Sequence, residues 1–519
     1  MQDRPLDRRE FLKRTGYIAG GVAALGGAGA LAWRAGAQPP MVLPSQRKPN
    51  NFSDLHIRLV MAPGTANILP GAPTDVWRYT GTVLSGRSRQ LEPIPGSYLG
   101  PTIHVARGNR VRVRMENALP EATITHWHGL DVPEDQDGHP RHAVLPGEVY
   151  NYDFTVNERA GLYWYHPHPD MRTAAQVVKG LAGLIRVTDD HEAKFDLPSG
   201  EYEIPLVIQD RTFDANNQIA YAPGALLGYL GNQVLVNGLP SLAKTCRTRC
   251  YRLRIINGSN ARTYKLAWDD GTPVTVIGTE GGLLEAPVTR PYVMLTPGER
   301  LDVWADFSSK TVGSQMILRS LAWTPGGVGG GGQAPVNGAP MTIATFNIAA
   351  AASEYRALPQ YFGDFETLTL AQASNAGSPR VFPITYILSG GQPVWLLNGA
   401  VFDMNTTLPN ENMPRNTVEL WEIRNTQASP VMPHPIHFHG RHFQVLQRIG
   451  PTGGANLTAY NTVNQGFINT AWKDTLLVMP GETVRLLVRT SDFPGLYVYH
   501  CHLLEHEDMG MMRNFRIMP

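Results

Sequence analysis

The sequence predicts an all-β protein built from three copies of one β unit. Apolar and polar side chains alternate with period two, as at 103–107 and 111–115, with Gly108 and Asn109 between these runs. No long stretch has a helical period, and 52 Gly and 41 Pro in 519 residues suit many short strands and turns. The third observation is an internal repeat, which gives the number of copies.

The repeat is clearest near the two ends of the chain. A Pro-Gly-Glu turn at 146–148 precedes an aromatic run that ends in His166-Pro167-His168, and the same turn at 480–482 precedes one that ends in His500-Cys501-His502. The first histidine follows the proline by 20 residues in both cases. A third Pro-Gly-Glu at 297–299 precedes Arg300 but no histidines, so the middle copy has lost them.

These repeats predict the domain organisation. A further echo joins the segments 111–117, 251–257 and 418–425, one in each copy. We expect a first domain at 51–190, a second domain without metal ligands at 200–350, a connection at 351–374 and a third domain at 375–519.

Charge and cysteine content exclude several classes of protein. A net charge of +1 gives no reason to expect nucleic acid or an anionic surface as a partner. The only cysteines are Cys246, Cys250 and Cys501, too few for a disulfide framework. Cys246 and Cys250 would lie ~13 Å apart on a continuous strand, so a disulfide between them requires a turn, and the sequence leaves this open.

The N-terminus predicts export. Arg8 and Arg9 belong to a twin-arginine signal, which is followed by a weakly hydrophobic Gly/Ala run at 16–32. The small residues at 35–37 suit a cleavage site, so we expect a signal peptide at 1–37 and a linker at 38–50. A membrane anchor is the alternative, but the apolar run is short for a span. The mature protein is therefore expected in the periplasm or secreted, without stable membrane insertion.

The C-terminal segment contains the ligand types of a copper site. The aromatic, β-branched run at 495–499 predicts a strand, so His500 and His502 point to one side and Cys501 to the other. A thiolate, two histidines and a weak axial methionine hold blue copper. Cys501, His506 and Met511 supply three of these four ligands.

Ten of the 16 histidines fall in four clusters, each with an H-x-H pair. Both rings of such a pair lie on one face of an extended segment. Four pairs give eight imidazoles, about the number that three copper ions need, and leave His434 and His506 for the blue site. A closed structural zinc site needs only four ligands and does not explain this set. The other six histidines (His56, His104, His139, His142, His191, His442) are expected to be solvated or hydrogen-bonded at the surface.

These motifs resemble those of the three-domain multicopper oxidases, the family of laccases and bacterial cuprous oxidases. H-W-H-G, H-P-H, H-P-x-H-x-H-G and H-C-H-x3-H-x4-M all stand intact and in order. The resemblance covers nearly the whole mature chain and implies three cupredoxin-like Greek-key β-barrel domains with four copper ions. It implies type 1 copper at His434, Cys501, His506 and Met511, type 2 copper at His126 and His437, and a type 3 pair at His128, His166, His168, His439, His500 and His502.

The resemblance also implies the reaction. Such enzymes couple one-electron oxidation of a donor to four-electron reduction of O2 to water, with Cys501 passing electrons to the cluster. Asp137 and Glu507 match acidic positions that relay protons in related enzymes. The alternatives are an Asp-Gly turn residue for Asp137 and a surface carboxylate for Glu507.

The sequence leaves the electron donor open. We favour a laccase-like, monomeric enzyme that oxidises phenols or aromatic amines at an open blue-copper edge, because 345–400 contains no Met-rich insert. The alternative is a cuprous oxidase that takes Cu(I) through Met432, two residues before His434. Another class is a copper-free structural or cell-division factor of the same fold. A two-domain nitrite reductase is disfavoured by the three units.

Overall fold

The computed structural model describes residues 52–224, 226–326, 336–389, 392–426 and 432–519. The predicted signal peptide and linker therefore lie outside the described residues. Within the described part, no helix is both long and apolar enough to cross a membrane.

The first domain consists of nine strands in two sheets, with the orders β2-β1-β5-β7 and β3-β4-β9-β8-β6. The strands are β1 (Leu55–Ala66), β2 (Thr74–Ser85), β3 (Leu91–Glu92), β4 (Thr102–Ala106), β5 (Arg110–Asn117), β6 (Thr125–His128), β7 (Val149–Thr155), β8 (Gly161–Pro167) and β9 (Gly183–Thr188).

The second domain has sheets of the orders β12-β11-β10-β14-β19-β16-β17 and β13-β21-β20-β15-β18. The strands are β10 (Glu203–Arg211), β11 (Gln233–Val236), β12 (Leu239–Pro240), β13 (Leu242–Arg247), β14 (Cys250–Asn257), β15 (Tyr264–Trp268), β16 (Val274–Thr279), β17 (Gly282–Arg290), β18 (Val293–Leu295), β19 (Arg300–Asp306), β20 (Gln315–Ser320) and β21 (Met341–Ala350).

The third domain has sheets of the orders β23-β22-β25-β29-β27 and β24-β31-β30-β26-β28. The strands are β22 (Arg380–Ser389), β23 (Gln392–Leu397), β24 (Asn412–Met413), β25 (Val418–Arg424), β26 (His434–Phe438), β27 (Phe443–Ile449), β28 (Thr475–Val478), β29 (Thr483–Arg489), β30 (Gly495–Cys501) and β31 (Met512–Ile517). The described part also contains eight short 3₁₀-helices and three short α-helices, α1 (Thr173–Val178), α2 (Gly454–Asn461) and α3 (Leu504–Asp508).

The repeat seen in the sequence is a repeat of topology. The echoed segments form β5, β14 and β25, and each pairs in parallel with the first long strand of its domain, β1, β10 or β22. Each also pairs antiparallel with the strand that follows a Pro-Gly-Glu turn, β7, β19 or β29. The predicted all-β class is therefore confirmed, while the predicted domain boundaries stay proposals.

Alternating burial explains why these strands form. β5 alternates exposed and buried residues, and its apolar side chains enter the core of the first domain. β30 is buried almost throughout, as expected for a strand between neighbouring strands with both faces covered. β30 has both β26 and β31 as neighbours. Its position inside the sheet buries the ligand-bearing end of the chain.

Cys246 and Cys250 are free thiols on consecutive strands, β13 and β14, which belong to different sheets. Cys246 packs in the main core of the second domain, and Cys250 packs in a separate cluster around Trp304 and Phe362. The turn between β13 and β14 thus sends the two side chains into different clusters. Burial raises the pKa of Cys246 to about 11 and that of Cys250 to about 12, so both stay protonated.

A cavity of about 230 Å³ lies where the three domains meet, lined among others by Asp131, Glu158, Gly281, His442 and Trp472. Glu158 is buried there. One oxygen of its carboxyl group accepts a hydrogen bond from the Asp131 N–H at 2.5 Å, and the other has no partner among the described residues. Burial raises the pKa of Glu158 to about 8. The folded protein therefore holds a proton on Glu158 at neutral pH.

This proton predicts a pH-dependent effect of Glu158→Gln on stability. The pKa of Glu158 in the folded state, about 8, exceeds its ordinary value of 4.5, so the side chain destabilises the fold increasingly as pH rises between these values. The variant should therefore gain stability relative to the parent between pH 5 and pH 9, by a few kcal/mol (~1.4 per pKa unit) at most. Thermal melting at both pH values measures this difference.

The exposed glutamate Glu148 offers a matched control. Glu148→Gln should shift melting by a similar small amount at both pH values. A Glu158→Gln melting difference that does not change with pH would contradict the assignment.

Candidate metal centres

Two antiparallel pairings position most of the predicted ligands. In the first domain, β6 pairs with β8 so that His126 lies opposite His166. In the third domain, β26 pairs with β30 so that His437 lies opposite His500 and Ile436 lies opposite Cys501. Directly opposed residues project to the same face of a sheet. Each pairing therefore brings two imidazoles together, and the two histidine-bearing faces meet between the first and third domains.

The first group joins one histidine from each of these domains. His126 Nε2 and His437 Nε2 lie 3.4 Å apart. Their Nδ1–H groups donate to the backbone carbonyls of Asp137, at 2.7 Å, and Asp474, at 2.9 Å. With Nδ1 protonated, each Nε2 has a free lone pair directed at the same space.

The second group consists of His168, His439 and His500. His500 Nε2 lies 3.3 Å from His168 Nε2 and 3.1 Å from His439 Nε2. All three side chains are fully buried. Three imidazole nitrogens that converge in this way can bind one metal ion.

The third group consists of His128, His166 and His502, whose ring centroids are 5.1 to 5.7 Å apart. His128 Nδ1, His166 Nε2 and both ring nitrogens of His502 have no hydrogen-bond partner in the described part of the chain. Buried nitrogen atoms are normally paired. These orphaned atoms therefore fit a set of ligands for a metal ion.

The fourth group surrounds Cys501 inside the third domain. Its Sγ lies 3.6 Å from His434 Nδ1 and 3.8 Å from His506 Nδ1. Met511 is buried in the same core, and its backbone hydrogen-bonds to both Cys501 and His506. The structure thus brings three of the four predicted type 1 ligands into contact and holds the backbone of the fourth beside them.

The protonation states suit a copper site. Burial lowers the pKa of His166 to about 3 and those of His168 and His506 to about 4, which keeps the rings neutral, as ligands must be. Burial also raises the pKa of the Cys501 thiol. A thiolate at this position is therefore stable near neutral pH only with a bound cation.

Both predicted carboxylates lie beside the histidine groups and are buried. Asp137 Oδ2 is 2.7 Å from His439 Nδ1, and burial raises the pKa of Asp137 well above its usual range. Glu507 lies 3.0 Å from His500 Nδ1 and 3.5 Å from His168 Nε2. Burial opposes ionisation of Glu507, but these two histidines outweigh it and lower its pKa. Asp137 does lie in a turn with Gly138, but its side chain is buried against the cluster, and Glu507 is not a surface carboxylate.

Sequence reasoning missed several residues next to the site. Asp474 contacts His128 at 3.2 Å and binds Arg300 of the second domain. No local pattern marks Asp474, but the third Pro-Gly-Glu turn, directly before Arg300, was an available signal. The expectation of surface histidines is wrong for His139, which is fully buried and whose Nε2 lies 3.0 Å from Asn514 Oδ1.

The ring edge of His506 is shielded from solvent, in contrast to the open blue-copper edge expected for a laccase-like enzyme. His506 is fully buried, and its Nε2–H donates to the carbonyl of Leu226 at 2.9 Å. The Trp395 ring covers His506 and His434 at centroid distances of 4.5 and 4.8 Å. Met432 is also buried, at 2% exposure, in the core of the third domain.

Comparisons with known proteins agree with this geometry. Two family models, both described as multicopper oxidase, match residues 76–192 and 375–519. A laccase of Bacillus stratosphericus is 30% identical, over 86% of this chain and 91% of its own length. The cell division protein FtsP of Yersinia pestis is 29% identical over 97% of both chains.

Among solved structures, the McoA multicopper oxidase of the hyperthermophile Aquifex aeolicus is 32% identical, with a TM-score of 0.75 over 89% of this chain and 96% of McoA. This similarity confirms the predicted cupredoxin-like fold. The matched family models and the coverage of these relatives show that the chain belongs to the multicopper oxidases.

Proposed function

We propose that the protein is a laccase-like oxidase that takes electrons one at a time from small phenols or aromatic amines and reduces O2 to water. One observation carries the proposal. The sulfur of Cys501 lies against His434 and His506, while the flanking His500 and His502 belong to the histidine groups on the other side of the strand. A single strand thus joins two metal centres.

We assign four copper ions to the histidine groups. His434, Cys501, His506 and Met511 would hold the type 1 ion, and His126 and His437 the type 2 ion. The type 3 pair would use His168, His439 and His500 for one ion and His128, His166 and His502 for the other. When bound, these ions would supply one-electron redox chemistry at the type 1 site and four-electron reduction of O2 at the other three.

The chain itself supplies the electron path. Cys501 is covalently joined to His500 on one side and to His502 on the other. In addition, the His500 Nδ1–H donates to the Cys501 carbonyl at 3.1 Å, which shortens the route from sulfur to imidazole. Electrons can therefore pass from the type 1 ligands to the cluster through bonds and one hydrogen bond.

Protons would pass through the two buried carboxyl groups. Burial raises the pKa of Asp137, which favours its protonated form, and its Oδ2 is 2.7 Å from His439 Nδ1. Glu507 contacts His168 and His500 on another side of the cluster. Reduction of O2 to water consumes four protons, so a proton donor, Asp137, on one side of the cluster and a carboxylate that can accept and pass on protons, Glu507, on another suit this chemistry.

The closed edge of His506 restricts the donor. Because the Leu226 carbonyl occupies His506 Nε2, no phenol can hydrogen-bond to this ring without displacing Leu226. We infer that electrons enter past Leu226 and Leu227, beside the turn in which Gly224 and Gly228 exchange backbone hydrogen bonds at 2.9 and 3.0 Å. Small donors that react at its surface are favoured over bulky ones.

A cuprous oxidase remains the second candidate, with Met432 as a thioether ligand for Cu(I). The burial of Met432 gives this route less support. A copper-free role like that of a cell-division protein is disfavoured, because all twelve predicted ligands are present. We also propose export through the twin-arginine route and a monomeric state.

Replacement of Cys501 by Ser tests the proposed function. The copper-loaded parent should be blue, because of the thiolate–copper bond, and Cys501→Ser should lose this colour while keeping about three of four copper ions. Absorption spectra and metal analysis measure both properties. Cys246→Ser, at another buried free thiol, should stay blue. A colourless parent after copper loading would favour the copper-free role.

Replacement of Leu227 by Ala tests the closed edge. Leu227 is in the turn and packs on the core of the third domain, so its truncation should loosen the cover over His506. We expect kcat/KM for a bulky substituted phenol to rise by about threefold, a change in barrier of ~0.7 kcal/mol. Turnover of ferrocyanide, which needs no contact with the imidazole, should change little. An equal change in kcat/KM for both donors would contradict the proposal that this turn shields His506 from bulky donors.

Replacement of Met432 by Ala separates the two candidate donors. If Met432 binds Cu(I), the variant should lose Cu(I) turnover more than phenol turnover, because only the metal needs a thioether. Steady-state assays with Cu(I), a phenol and an aromatic amine compare the losses. Equal losses would remove Met432 from this role.

A further inference from the structure

The third Pro-Gly-Glu turn, at 297–299, contains no proposed copper ligand but lies directly against the histidine cluster. Gly298 has a φ of 86°, a conformation that favours glycine. A Cβ atom at this position would lie 2.9 Å from His502 Cδ2 and 3.1 Å from His128 Cε1. The backbone of the second domain therefore packs on imidazoles of both other domains.

Arg300, two residues later, ties the three domains together. Its Nη1 and Nη2 donate to Asp474 Oδ1 and Oδ2 at 2.7 and 2.6 Å. Its Nε donates to the carbonyl of Leu162 in the first domain at 3.1 Å. A guanidinium fork paired with a carboxylate fixes both the distance and the plane of the carboxylate.

Asp474 in turn contacts two candidate ligands from different domains. Its Oδ1 is 3.2 Å from His128 Nε2, and its backbone carbonyl accepts the His437 Nδ1–H at 2.9 Å. With a proton on Nε2 facing Asp474, His128 presents an unprotonated Nδ1 to the cluster. Hydrogen bonds of this kind fix both the tautomer and the orientation of a ligating ring.

A buried network of charges supports this arrangement from the second domain. Lys473, next to Asp474, lies 2.9 Å from Glu280 and 3.2 Å from Glu299. The backbone N–H of Arg300 donates to Glu280 at 3.0 Å. The second domain thus holds the chain on both sides of the Arg300–Asp474 pair.

We propose that Arg300 is a positioning residue through which the ligand-free second domain orients His128 and His437, by way of Asp474, and so determines copper binding at the cluster. The inference rests on the copper assignment proposed above. Arg300 touches none of the predicted ligands through its own hydrogen bonds and acts through Asp474.

The chain offers a matched control in Arg262, another buried arginine of the second domain. Its Nε donates to Asp210 at 2.8 Å and its Nη2 to the Gly231 carbonyl at 2.7 Å. Its hydrogen bonds involve no histidine of the cluster. If Arg300 had only a structural role, Arg262→Met and Arg300→Met should therefore have the same effect on copper content and on the spectra.

The experiment compares Arg300→Met, Arg300→Lys and Arg262→Met as purified, copper-loaded full-length proteins. We expect Arg300→Met to keep the blue absorption, because Cys501 does not contact this pair. The variant should lose about one copper ion per chain, together with the type 2 electron paramagnetic resonance signal. The reason is that loss of a partner that orients a ligand weakens metal binding by about 10- to 100-fold. Arg300→Lys should retain part of the signal, because lysine keeps the charge without the fork. Arg262→Met should lower the melting temperature and leave both signals unchanged.

Asp474→Asn provides a second variant if Arg300→Met does not fold. It breaks the fork that holds Asp474, and with it the backbone carbonyl that orients His437, so it should also lower the copper content and the type 2 signal. The double variant should lose no more than the more severe single variant. Parent-like copper content and type 2 signal in the Arg300 and Asp474 variants, or an equal loss in Arg262→Met, would overturn the inference. A parent protein without blue absorption would instead count against the proposed function, before any variant is compared.

Discussion

The alternation of side chains along β30 is the constraint on which both candidate metal centres depend. Cys501 faces the core of the third domain, whereas His500 faces the histidines of the first domain. The pairing of Ile436 with Cys501 and of His437 with His500 fixes this orientation. A slip by one residue would turn every side chain to the opposite face. The register between β26 and β30 therefore keeps the sulfur and the imidazoles on their own sides.

Complete burial then determines the chemistry of these groups. Burial favours the neutral rings of His166, His168 and His506 and makes an isolated thiolate at Cys501 unfavourable, so these candidate ligands suit a bound cation. Backbone carbonyls satisfy the outer nitrogens of His126 and His437. The carbonyl of Leu226 does the same for His506 and closes the edge that faces the second domain. One type of interaction thus orients the cluster and also restricts which donors can reach the type 1 ligands.

Much of this site was predictable because its ligands lie in short motifs. The H-x-H pairs and the strand before Cys501 specify side-chain direction locally, and the repeated Pro-Gly-Glu turns specify the topology. Arg300 and Asp474 were not predictable in the same way, because they lie 174 residues apart and are common residue types without a local pattern. The same holds for Leu226, which acts through its backbone, and for Glu158, whose proton depends on a cavity formed by three domains.

The order of the chain has a consequence for how the protein matures. Five of the twelve candidate ligands, from His500 to Met511, lie in the last 20 residues, and their partners at His126 and His128 are more than 370 positions earlier. The proposed type 1 and type 3 sites therefore cannot be complete until synthesis has passed these residues. A complete type 1 or type 3 site cannot guide the folding of the earlier barrels.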